Sequence, residues 1–98
     1  MENFNELINS EKPTLVDMFA NWCGPCKMLI PIIDQLKTDM NETLNVVKID
    51  VDLYKDIAIK YNVRSVPTLI LFKNGEPVWR HSGVLPITTL KEEINQFI

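Results

Sequence analysis

The chain has 98 residues, near the lower end of what buries a self-sufficient core, so a single domain over residues 1–98 is expected. Its 46% hydrophobic and 23% charged residues, with 6 Pro and only 3 Gly, exclude a disordered, fibrous or disulfide-scaffolded chain. A formal charge of −3 offers no basic field to collect phosphates, which excludes nucleic-acid binding as a function class.

The start, Met1-Glu2-Asn3-Phe4-Asn5-Glu6, has neither the cationic stretch nor the apolar core of a secretion signal. No apolar run approaches the roughly 18 residues of a membrane span, so a cytoplasmic location is the expectation. Phe4, Leu7 and Ile8 recur at helical offsets and predict a short helix over Phe4 to Asn9 that ends before Pro13. Thr14 to Ala20 is a mostly apolar run of strand length, as in a strand covered on both faces, with Asp17 as its one charged interruption.

Next comes Trp22-Cys23-Gly24-Pro25-Cys26-Lys27. Leu29, Ile32, Ile33 and Leu36 follow at helical offsets and predict a helix from about Cys23 to Asp39, with Pro31 removing one backbone bond and kinking it. The cysteines therefore lie at a helix N-terminus. Val46 to Asp50 reads as a second strand and Tyr54 to Tyr61 as a helix, with Asp52 as its cap; strand and helix alternate as in a parallel crossover unit. Thr68 to Lys73 reads as a buried strand, Asn74-Gly75 as a hairpin turn and Pro77 to Ser82 as an edge strand. A closing helix presents Ile87, Leu90, Ile94 and Phe97 on one stripe. The sum is a mixed sheet with helices on both faces.

Two cysteines two residues apart, without a signal peptide, point to catalysis or metal binding rather than a static staple. Disulfide exchange needs one accessible, partly ionised thiolate and a second thiol close enough to expel the mixed disulfide. At the helix start Cys23 meets unpaired N–H groups and the positive dipole end, worth about 0.3 to 1 kcal/mol and up to about 2 in sheltered geometry. Cys26, one turn inside, is expected to be less exposed and to act as the resolving thiol. Pro25 suits a first helical turn, where its missing N–H has no partner anyway. Asp17, flanked by Leu15, Val16, Met18 and Phe19, is expected to be buried, which raises a carboxyl pKa and lets it exchange protons near neutrality.

Asp17, the Trp22 to Lys27 motif, Pro31, Lys48, Val66-Pro67-Thr68, Phe72-Lys73-Asn74-Gly75 and Gly83 stand in an order and spacing that resembles the thioredoxin family across nearly the whole chain. The resemblance implies the thioredoxin fold, an α/β architecture with a central mixed sheet of four strands, or five if Met1 to Asn3 supply the family's short first strand. Without that strand, Val46 to Asp50 is an uncovered edge able to pair with another chain; a monomer is the expected state. It further implies a protein-disulfide reductase acting on disulfide-containing protein substrates, because Gly-Pro between the cysteines is the reductant's version of the motif. A flavin- and NADPH-dependent reductase would supply its electrons, and the chain itself would carry no cofactor. Asp17 would lie behind Cys26 and assist its deprotonation, with Lys48 moderating the buried charge. Pro67 would be cis, and Val66 before it would offer its backbone to an extended substrate. Trp22, Gly24, Pro25, Val66, Pro67, Gly83 and Val84 would form a shallow apolar platform around Cys23. Trp79 is assigned to packing, and Phe19 stands where many bacterial relatives have a second tryptophan.

Two other readings compete. Cys-x-x-Cys is half of a zinc knuckle, but a structural zinc wants four ligands and only His81, itself read as a surface residue, could join. A non-catalytic binding module would use the same platform and leave the thiols incidental.

Overall fold

The computed structural model describes residues 3–98. In chain order the elements are α1 (Phe4–Ile8), β1 (Thr14–Phe19), α2 (Gly24–Asp39), β2 (Asn45–Asp50), α3 (Lys55–Lys60), β3 (Thr68–Lys73), β4 (Glu76–Ser82) and α4 (Ile87–Asn95). The strands form one sheet in the order β2-β1-β3-β4; β1 runs parallel to β2 and antiparallel to β3, and β3 is antiparallel to β4. This is the mixed sheet of the thioredoxin fold with four strands among the described residues. The alternative first strand rests on Met1 and Glu2, which lie outside them, while Asn3 is the N-cap of α1. No helix among the described residues is long and apolar enough to cross a membrane.

Alternation along the two central strands divides the core. Leu15, Leu69 and Leu71 pack with Leu29, Ile33 and Leu36 of α2 and with Leu90 and Ile94 of α4. On the opposite face Val16, Met18, Ile70 and Phe72 pack with Phe4 and Ile8 of α1 and Ile57 of α3. Period-two geometry therefore assigns Asp17 to the Leu15 face, beneath α2. That parity, set by apolar neighbours, carries the carboxyl to the side of the sheet where the cysteines are.

Helix α2 runs unbroken through Pro31, which sits at an exposed position where a carbonyl left without a partner stays close to solvent. Phe4 and Tyr61 both meet the Phe72 ring edge-on, at centroid distances of 5.9 and 5.1 Å, so α1 and the end of α3 are fixed to β3. The β3–β4 register shifts between Leu71 and Phe72, where Pro77, lacking an N–H, faces Phe72.

Asn74 and Gly75 have φ of 53° and 84°, the paired positive values of a type I′ hairpin turn. A Cβ at Gly75 would meet only ordinary contacts, the nearest being Asn9 Oδ1 at 3.6 Å, so backbone strain alone opposes substitution. Gly75→Ala should therefore cost about 1 kcal/mol, read as a lower urea midpoint with unchanged slope.

Candidate active site

The chain leaves β1 at Phe19, turns through Ala20 to Trp22, and enters α2 at Gly24. Cys23 is the N-cap, with φ −90° and ψ 113°, and its Sγ accepts a hydrogen bond from the Cys26 N–H at 3.1 Å. A sulfur here does what a Ser or Asp oxygen does at other helix starts: it satisfies an N–H that the helix leaves free. The interaction strengthens when the acceptor carries charge, so the cap favours thiolate over thiol. Pro25 occupies the first turn, where no donor is lost.

The two cysteines are joined as a disulfide with a Cα–Cα distance of 5.3 Å. Exposure does not separate them, at 4% for Cys23 and 5% for Cys26. The expectation that Cys26 is the less exposed is corrected. The cap folds the Cys23 side chain back over the first turn, and both cysteines cluster with Ala20, Phe19, Val51 and Val66. What distinguishes them is their surroundings. Cys23 Sγ lies 3.6 Å from the Val66 carbonyl oxygen, whereas Cys26 lines a partly open cavity on its other side.

That cavity, of ≈ 150 Å³, is bounded by Asp17, Phe19, Ala20 and Asn21 on one side, Cys26, Lys27 and Ile30 of α2 on another, and Lys48. Asp17 is 3% exposed and its Oδ1 has no hydrogen-bond partner. Burial pushes its pKa up from 3.8 to about 6, and Lys48 partly offsets this through its charge. In the parallel register Lys48 is directly opposite Asp17, yet the two form no ion pair and Lys48 remains exposed at the β2 edge. A deeply buried carboxyl with an unpaired oxygen and a pKa raised toward neutrality thus shares a cavity with Cys26.

Around Cys23 the surface is built from three loops. Trp22 is 70% exposed, and its indole Nε1 donates to Asp52 Oδ2 at 2.8 Å. Asp52 therefore does not cap α3, whose N-cap is Tyr54 without a side-chain bond; the expected cap is replaced by a tether on the tryptophan. The Val66–Pro67 bond is cis. Thr68 Oγ1 donates to the Ser65 carbonyl at 2.8 Å, and the Gly83 N–H donates to the Pro67 carbonyl at 2.9 Å, holding this bend against β4. Gly24, Pro25 and Val84 are exposed and Val66 and Gly83 half-buried, so these residues can contribute surface; Pro67 is buried and shapes the bend from beneath.

Beside Trp22 a second hollow is lined by Val51, Val63, Arg64, Ser65 and Val66. Arg64, Ser65 and Asp52, like Asn21 and Ile30 at the Cys26 cavity, escape a motif-based reading; the only sequence signal is Ile30, one helical turn beyond Cys26. Trp79 is half-buried against the α2–α4 core, and His81 stacks on it with 10° between the rings. No cluster of three or more His, Cys, Asp or Glu with metal-binding geometry occurs among the described residues.

The thioredoxin family model matches residues 1–96. A thioredoxin-like protein of Synechocystis sp. is 45% identical over 97 residues, covering 98% of this chain and 92% of that protein. A thioredoxin of Porphyra purpurea is 43% identical over 93 residues, covering 95% of this chain and 87% of its own length. A chloroplastic thioredoxin Y of Oryza sativa subsp. japonica is 44% identical over 93 residues, 94% of this chain but 55% of that longer protein. Neither a zinc half-site nor a non-catalytic module is favoured by such a match. With its redox cysteine pair at the mouth of α2, the chain belongs to the thioredoxin family and is a thiol:disulfide oxidoreductase of protein disulfides.

Proposed function

We propose that the chain works as one domain in which Cys23 attacks and Cys26 resolves. The Cys23 thiolate attacks one sulfur of a substrate disulfide, forming a mixed disulfide and expelling the other sulfur as a thiolate that takes up a proton. Cys26, deprotonated, then attacks Cys23 Sγ. This releases the second substrate thiol, so the substrate gains two electrons and the Cys23–Cys26 pair is left as a disulfide. Asp17 accepts the Cys26 proton across their shared cavity, which is roomy enough for a relaying water. Lys48 opposes the rise caused by burial and so favours the ionised, proton-accepting form of Asp17.

The substrate lies over Trp22, Gly24, Pro25, Val66, Gly83 and Val84, with Pro67 bending the chain so that the Val66 backbone faces an extended peptide, as in strand addition. A flavin- and NADPH-dependent reductase returns the pair to the dithiol. We assign the protein to the cytoplasm and to a monomeric state, leaving β2 as a short edge guarded by Lys48.

The observation that carries this reading is the Cys26 N–H aimed at Cys23 Sγ from the helix N-terminus. Its test is alkylation of the reduced protein at pH 7. Cys23 should react about tenfold faster than Cys26, the ratio corresponding to the stabilisation available at a helix start. Two equal, slow rates would overturn it.

A further inference from the structure

Strand β4 grips the segment before β3 at both ends. At the far end Ser82 Oγ lies 3.1 Å from Thr68 Oγ1, which itself holds the Ser65 carbonyl, while the Gly83 N–H holds the Pro67 carbonyl. At the near end the guanidinium of Arg80, two residues earlier and on the same face of the strand, reaches the chain where it leaves α3. Its Nη1 donates to the Tyr61 carbonyl and its Nη2 to the Asn62 carbonyl at 2.8 Å. These carbonyls lie just past the C-terminus of α3, where helices leave acceptors without internal partners, and a cation is favoured there. Asn62 has φ 56°, so the chain reverses at this point, with the Val63 N–H closing back on the Ala58 carbonyl at 2.8 Å. The Asn62 side chain in turn accepts from Arg64 Nε at 3.1 Å, and Arg64 borders the hollow beside Trp22.

We infer that Arg80 is a positioning residue: from the edge strand it locks the Tyr61–Val66 segment in the conformation that presents Arg64 and the Val66 backbone to a protein substrate beside Cys23. This rests on the reading of Val66 as the docking strand given above. Arg80 touches neither cysteine, so its effect acts through the fraction of molecules whose segment is ready to bind. A ligand's apparent affinity falls in proportion to that fraction. A small aromatic disulfide reaches Cys23 without strand pairing and does not sense it.

The test compares Arg80→Ala and Arg80→Lys with the wild-type protein, using a peptide disulfide long enough to span Val66 and 5,5′-dithiobis(2-nitrobenzoate) as the small disulfide. Arg80→Ala should raise KM for the peptide about three- to tenfold with kcat within twofold, while the small-disulfide rate and the reduction potential stay within error. Arg80→Lys, which keeps a donor able to reach one carbonyl, should recover part of that loss. An unchanged peptide KM, or equal losses on both substrates, would overturn the inference even if the melting temperature drops. If N-methylating the peptide backbone beside its disulfide leaves the wild-type KM unchanged, the docking reading itself is refuted.

Discussion

Cys26→Ser should accumulate stable covalent complexes with substrate proteins, Cys23→Ser should accumulate none, and each should lose disulfide-reductase turnover by about a thousandfold or more. The asymmetry follows from which sulfur sits at the cap. In Cys26→Ser the backbone N–H at residue 26 is retained, so Cys23 keeps the hydrogen bond that stabilises its thiolate and still attacks. The mixed disulfide then has no internal thiol to break it, and it survives until an external thiol intervenes. In Cys23→Ser the remaining thiol faces the cavity shared with Asp17, away from the Val66 side proposed for docking. Because the two thiols act as a unit, losing either removes nearly all of the rate, and the losses do not add in the double variant. Non-reducing gels of proteins captured by each variant, with an insulin-reduction assay, decide the matter. Stable capture by Cys23→Ser would exchange the two roles, and residual turnover within tenfold of wild type in either variant would remove the dithiol mechanism.

The positions of the two sulfurs were readable from sequence because their causes are local. A helix start between an apolar strand and an amphipathic helix places Cys23 at the cap, and three residues of spacing put the Cys26 amide beside it. Asp17 was legible for a related reason: its neighbours are all apolar, so whichever face the strand presents, the carboxyl is enclosed. The Asn74-Gly75 turn reads directly from residues that accept positive φ. Other features depend on long-range approach and leave no periodic trace. Asp52 precedes a helix and looks like a cap, but Trp22, thirty positions away, provides a better donor for its carboxylate. Equal burial of the two cysteines arises from Val51 and Val66, which belong to separate loops. Arg80 looks like an ordinary solvated charge on an edge strand, and only the tertiary approach of the Tyr61–Asn62 turn to that strand shows which carbonyls it meets.

Asp17→Asn should make the protein more stable and less active at the same pH. Ionising Asp17 is disfavoured in the folded state, where its pKa is about 6, compared with 3.8 when solvated. The folded chain therefore binds more proton than the unfolded one between those values, and stability falls as pH rises through that window. Below about pH 4 the group is neutral in both states and costs nothing. Above about pH 6 it is charged in both, and the penalty levels off at about 3 kcal/mol, from roughly two units at 1.36 kcal/mol each. An uncharged isostere removes that penalty, so Asp17→Asn should gain up to about 3 kcal/mol at pH 8 and almost nothing at pH 4. Urea titrations at the two pH values measure the difference. The same substitution removes the group proposed to accept the Cys26 proton. Release of the mixed disulfide at pH 7 should slow by about tenfold to a hundredfold, and the rise in that rate through pH 6 should disappear. A purely structural carboxyl would predict the stability gain without the kinetic loss, and a carboxyl already neutral at pH 8 would predict neither. Only a buried, ionisable proton acceptor couples the two effects with opposite signs.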